Sequence, residues 1–87
     1  EAQVEAQSLI DATTAALHVD AELLDSDERQ QIDRALDRLN ATIASGDAAD
    51  VRNATEALNH ATTDFASRRM DKQIRTALAG RKLTTLE

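Results

Sequence analysis

No proline interrupts this chain, and glycine occurs only at positions 46 and 80. The backbone is therefore punctuated like that of a helical protein, with too few chain-reversing residues for a sheet. The longest unbroken helical pattern runs from Asp47 to Leu78, and it holds the only Phe and the only Met of the sequence, Phe65 and Met70. The expectation is an all-α fold: an antiparallel three-helix bundle with a long, kinked or protruding third helix. Helices are predicted at about residues 1–20, 26–44 and 48–79.

In the first of these, Val4, Ala6, Leu9, Ile10, Thr13, Ala16 and Leu17 recur at three- and four-residue steps and so share one face. No capping residue precedes them. Val19, Leu23 and Leu24 fall around a turn. The run Asp25-Ser26-Asp27-Glu28 then supplies a helix start, because Asp25 or Ser26 can accept from first-turn amides while Glu28 reaches back to Asp25. The three carboxylates also suit the positive end of the helix dipole. Ile32, Leu36, Leu39 and Ile43 form a narrow seam on the second helix, with Arg29, Asp33, Arg34, Asp37 and Arg38 on other faces. Gly46 supplies a left-handed cap, and Asp47 with Asp50 forms a lesser capping box. So short a connection makes the second and third helices antiparallel neighbours.

Val51, Ala54, Leu58, Ala61 and Phe65 mark the inward stripe of the third helix. Beyond Phe65 the stripe steps over to Ala66, Met70, Ile74 and Leu78, a rotation of roughly 100° at 3.6 residues per turn. Length adds a second constraint. The second helix should be about 28 Å long and an unbroken third helix roughly 48 Å. Either the third helix kinks between about Thr62 and Ala66, or its last part overhangs and carries Met70, Ile74 and Leu78 to another surface. That surface is the turn at Val19, Leu23 and Leu24 or a second copy of the chain. Gly80 is expected to end the helix, with Arg75, Arg81 and Lys82 near its negative end. Residues 81–87 read as a frayed tail, and the closing Leu86-Glu87 resembles a cloning scar, which suggests a piece excised from a larger protein.

Composition excludes several functions. With 16 acidic against 10 basic residues the formal charge is −6, which argues against a nucleic-acid backbone as partner. There is no cysteine for a disulfide or thiolate metal site, consistent with a reducing cytosol. No apolar run approaches the roughly 18 residues that span a bilayer. Asp33 and Asp37, the obvious carboxylate pair, sit among arginines on an exposed helix face. His18 and His60 lie on different helices without a second ligand at metal-binding spacing. No catalytic, cofactor-binding or metal-binding residue is assigned. Asn40-Ala41-Thr42 and Asn53-Ala54-Thr55 match the glycosylation sequon but fall inside predicted helices. Arg68-Arg69 reads as a solvated pair bonded to Asp64, Asp71 or their neighbours. The residues by themselves describe a small acidic helical bundle for interaction, either a stand-alone binding module or a homo-oligomer.

The order Leu23-Leu24, Asp25 to Glu28, Arg29, Ile32, Leu36, Leu39, Gly46-Asp47, Val51, Leu58 and Phe65 resembles the C-terminal helical lid of DnaK-type heat-shock chaperones. The run Phe65-Ala66-Ser67-Arg68-Arg69-Met70-Asp71, followed by Ile74, Arg75, Ala77, Leu78 and Gly80, is similar to the HscA branch of that family, devoted to iron–sulfur cluster assembly. The resemblance covers nearly the whole chain. It implies a cytoplasmic lid that docks over a peptide-gripping β-sandwich of the same polypeptide and swings away under control of an N-terminal ATPase domain. ATP would bind in that other domain, so this segment would not be an enzyme. The implied partners are an iron–sulfur scaffold as client and a J-domain co-chaperone. Gln7 and Asp11 align with polar latch positions toward the sandwich, although this sequence departs from DnaK at both. No role for Arg68 and Arg69 follows from the resemblance.

Overall fold

The computed structural model describes residues 2–85, with side chains described through residue 80. Four helices follow one another, α1 (Ala2–Asp20), α2 (Ser26–Ser45), α3 (Ala48–Ala61) and α4 (Thr63–Thr85), with a 3₁₀ turn (Ala21–Leu23) after α1. There is no strand among the described residues. The all-α expectation holds, and among the described residues there are four α-helices where three were expected, because the predicted third helix is divided into α3 and α4.

The helix ends are set by local chemistry. Asp25 Oδ1 accepts from the Glu28 amide at 2.8 Å, and Glu28 Oε1 accepts from the Asp25 amide at 3.1 Å, which completes the capping box of α2. At the other end Gly46 adopts φ 79°, and its N–H donates to the Thr42 carbonyl at 3.1 Å. That left-handed conformation carries a steric penalty for any residue with a Cβ. Asp47 then caps α3 by accepting from the Ala49 and Asp50 amides at 2.9 and 3.1 Å. With only Gly46 and Asp47 between them, α2 and α3 fold back on one another and share the most extensive packing in the molecule.

The core lies between α1, α2 and α3. Ile32 and Leu39 from α2 meet Val51, Ala54 and Leu58 from α3, and Ala6, Ile10, Ala16 and Leu17 from α1 close the third side. Leu36 and Ile43 are half-buried at its margin, and Val4 is exposed although it shares the apolar periodicity of α1. Alanine at positions 6, 16 and 54 keeps the buried layer thin, so the helices approach closely.

The predicted third helix is divided at Thr62, inside the interval where a kink was expected. Thr62 has φ −99° and ψ 0°, outside helical geometry. Its hydroxyl donates to the carbonyls of Leu58 at 2.9 Å and Asn59 at 3.2 Å, and the Thr63 hydroxyl donates to Asn59 at 2.9 Å. Two successive threonines bonding back to the last turn of α3 bend the helix there. The chain does not double back after the bend, so the kink and the overhang occur together. The molecule is 57 Å long, about twice the roughly 30 Å of a 20-residue helix. Gly80 does not end the helix as expected. Among the described residues only Gly46 has positive φ, and α4 passes through Gly80 to Thr85. Glycine lowers helix propensity but keeps the N–H that donates to the carbonyl four residues earlier, so the ladder continues through it. The predicted cloning scar, Leu86 and Glu87, lies outside the described residues, as do the side chains of Arg81 and Lys82.

Candidate functional site

Among the described residues, the side-chain hydrogen bonds that join distant parts of the chain gather at the seat of α4 on the turn between α1 and α2. Phe65, Arg68, Arg69 and Lys72 follow the three- and four-residue spacing that puts them on one helix face. Phe65 is 3% exposed and joins the core cluster. The other three side chains carry charges to groups forty to fifty-two residues earlier in the chain.

Arg68 is the central tie. Its Nη1 donates to the Leu23 carbonyl at 2.9 Å and to Glu28 Oε1 at 2.7 Å, while Nη2 lies 2.6 Å from Glu28 Oε2. The guanidinium thus grips one carboxylate with both prongs and also satisfies the carbonyl that ends the 3₁₀ turn. Glu28 does two jobs at once, since the same Oε1 also completes the α2 capping box. The Arg68 bonds, with the Asp25 amide second, hold its carboxyl down at about 2, against an ordinary value of 4.5.

Asp20, the last residue of α1, is 4% exposed, and two cations converge on it. Arg69 Nε donates to Oδ2 at 2.7 Å, and Lys72 Nζ donates to Oδ1. Lys72 also reaches Glu22 Oε1 at 3.0 Å. The Arg69 bond, then the Lys72 bond, pull the Asp20 carboxyl below its ordinary range. Arg69 lies 5.9 Å from the centre of the Phe65 ring, so the same cation also covers the aromatic face. A buried carboxylate with two cationic partners is a fixed, ionised group. Neither Asp20 nor Glu28 holds a proton near neutrality, so this cluster clamps two parts of the chain and is unsuited to acid–base chemistry.

The apolar stripe of α4 has the opposite fate. Met70, Ile74 and Leu78 are 62%, 50% and 55% exposed, so they neither fold back on the bundle nor meet the turn at Leu23 and Leu24. The helix docks through its charged face because Asp20, Glu22 and Glu28 crowd the turn and attract cations. The run from Phe65 to Asp71 is therefore split, with Phe65, Arg68 and Arg69 turned inward and Ala66, Met70 and Asp71 outward. Arg68 and Arg69 do not make the local pairs with Asp64 or Asp71 that their spacing suggests; their hydrogen-bonded partners are Glu28 and Asp20.

The remaining candidates stay apart. Gln7 Nε2 donates to Asp11 Oδ1 at 3.0 Å on an exposed face of α1. Arg29 pairs with Asp33 at 3.1 Å, and Asp37 is exposed. His18 and His60 are both exposed, and among the described residues no three His, Asp or Glu side chains gather at metal-binding distance. Asn40 and Asn53 both lie within helices. The spacing of Phe65, Arg68, Arg69 and Lys72 is the one sequence sign of an inward charged face, and the more conspicuous apolar stripe beside it masks that sign.

The chain is homologous to a segment of HscA-type chaperones. It is 53% identical over 83 residues to the chaperone protein HscA homolog of Burkholderia cenocepacia, a match covering 95% of this chain and 13% of that protein. The corresponding protein of Burkholderia multivorans is 56% identical over 84 residues, with the same shares covered, and that of Burkholderia mallei is 53% identical over 83 residues. The chain thus spans about an eighth of the length of the curated relatives it matches, as the 13% share implies. No family model and no solved structure matches it.

Proposed function

We propose, from the premise of homology to a segment of HscA chaperones, that this chain is the helical lid of the substrate-binding region of such a chaperone. The observation that carries the reading is identity of 53–56% running across 95% of a chain whose described residues form helices only. A peptide-gripping β-sandwich would need strands, and a nucleotide site would need a glycine-rich loop that two isolated glycines do not supply. What remains for such a segment is a steric role. Docked over a bound client it raises the barrier to release, and displaced by an ATPase domain elsewhere in the polypeptide it lowers that barrier. ATP would act in that domain. The client would be an iron–sulfur scaffold protein and the co-chaperone a J-domain partner, both binding mainly outside this segment, in a cytoplasmic pathway of iron–sulfur protein maturation.

The architecture suits a gate because the clamp at Asp20, Glu28, Arg68 and Arg69 makes α4 move with the bundle. Gln7 and Asp11, exposed on α1, are available as contacts to the sandwich. Peptide release tests the role. In the full-length chaperone without ATP, deletion of the segment corresponding to residues 2–85 should accelerate dissociation of a fluorescently labelled client peptide. Asp11→Lys should accelerate it to a lesser degree. Dissociation unchanged by the deletion would remove the gating role.

A further inference from the structure

Two opposite faces of α4 make opposite demands. The face of Phe65, Arg68, Arg69 and Lys72 is committed to the bundle. Ile74 lies nine residues from Phe65, which at 3.6 residues per turn is roughly 180° around the helix. Met70 and Leu78, four residues on either side of Ile74, lie within about 40° of it. The three exposed side chains therefore form an apolar stripe about 12 Å long that slants through roughly 80° around the helix, its centre at Ile74 pointing away from the face that docks on the bundle.

The residues beside the stripe indicate what covers it. On one flank, roughly 60° and 100° from Ile74, stand Asp71 and Arg75, both exposed. On the other, at similar angles, stand Ala66, Gln73 and Ala77, all uncharged. If two copies of the helix pack side by side and antiparallel around a two-fold axis at Ile74, like flank meets like flank. Asp71 of each copy then falls about 3 Å along the axis from the second copy's Arg75, and the symmetry makes the contact twice. Met70 packs beside Leu78, and Ile74 packs on itself. A parallel pair would set the charged flank against the uncharged one and lose both ion pairs.

We propose that the outer face of α4 is a self-association surface on which two copies of this chain pair antiparallel through Met70, Ile74 and Leu78, registered by Asp71 and Arg75. The inference does not rest on the chaperone reading. A contact of little more than two helical turns falls below the size of standard interfaces, so the pairing is weak and forms at roughly 0.1–1 mM.

Sedimentation equilibrium of the 87-residue chain from about 10 µM to 1 mM tests it. A monomer–dimer equilibrium is expected, abolished by Ile74→Asp with the helical circular dichroism unchanged, since Ile74 supports no core contact. Asp71→Arg should weaken the dimer about three- to tenfold by turning two attractions into repulsions. Adding Arg75→Asp to that variant should restore it. A monomer throughout the range, as expected if the stripe is reserved for another part of a longer polypeptide, overturns the proposal. So does association indifferent to Ile74→Asp, or a charge swap that fails to restore pairing.

Discussion

Replacing Phe65 by alanine tests whether the one aromatic residue joins α4 to the core or merely decorates the bend. Phe65 is 3% exposed and continuous with the buried cluster of α1, α2 and α3. Truncation of a buried Phe costs about 3–5 kcal/mol, the lower end applying where the surroundings can close in. They can here: clefts of about 240 and 250 Å³ flank the ring, one lined by Leu9, Ala12 and Ala16 and the other by Leu24, Gln31 and Ala61. The expected loss is therefore about 3 kcal/mol. At about 2.1 cal/mol/K per residue the unfolding entropy of this chain is ~0.18 kcal/mol/K, so Tm should fall by roughly 16 °C. Thermal unfolding followed by circular dichroism at 222 nm measures the shift. Met70→Ala, further along the same helix but exposed, should move Tm by less than about 3 °C, since surface changes stay within roughly 0.5 kcal/mol. A Phe65→Ala shift under ~5 °C, or one matched by Met70→Ala, would refute the placement of Phe65 in the core.

The charged seat makes a prediction about acid. Because Glu28 titrates at about 2 in the folded chain against an ordinary 4.5, its contribution to docking is complete above about pH 4.5 and is lost as pH falls toward 2. Asp20, also depressed, loses its contribution in the same direction. Carboxyl-detected NMR should find Glu28 titrating well below 4, and Arg68→Gln should return it toward 4.5; an ordinary midpoint in the parent chain contradicts the clamp. The two glycines should respond with opposite signs. Gly46→Ala, at φ 79°, should cost about 1–2 kcal/mol in urea unfolding. Gly80→Ala, inside α4 with nothing within 4 Å of the added methyl, should stabilise by about 0.5–1 kcal/mol where α4 is part of the cooperative unit, and raise helicity in any case. A destabilising Gly80→Ala would mean that this glycine ends the helix after all.

Features decided within four residues of themselves are legible in the amino-acid sequence alone. Asp25 with Glu28, and Gly46 with Asp47, announce helix ends because a cap needs only a side chain and the nearest free amides or carbonyls. Ile32, Leu39, Val51, Leu58 and Ile10 announce core faces because a helix repeats every 3.6 residues wherever it occurs. Thr62 and Thr63 also act locally, yet their effect is a competition between a side-chain hydroxyl and the backbone ladder, which sequence narrows to an interval without resolving.

The seat of α4 is of another kind. Arg68 and Glu28 are 40 residues apart, and Arg69 and Asp20 are 49. The spacing of Arg68, Arg69 and Lys72 after Phe65 is the one sign along the chain that sets these cations apart, and nothing sets Asp20 and Glu28 apart from Asp33 and Asp37, which have the same chemistry and stay on the surface. Periodicity likewise shows that Met70, Ile74 and Leu78 share a face without showing whether anything lies opposite. Short-range geometry thus makes the all-α class, the caps at Asp25, Gly46 and Asp47 and most of the core readable from the order of residues, but neither the division at Thr62 nor the passage of α4 through Gly80. That α4 docks by its charges and exposes its apolar stripe follows from packing in three dimensions, because the acidic stretch from Asp20 to Glu28 becomes its seat only once α1, α2 and α3 have folded and carried α4 against it.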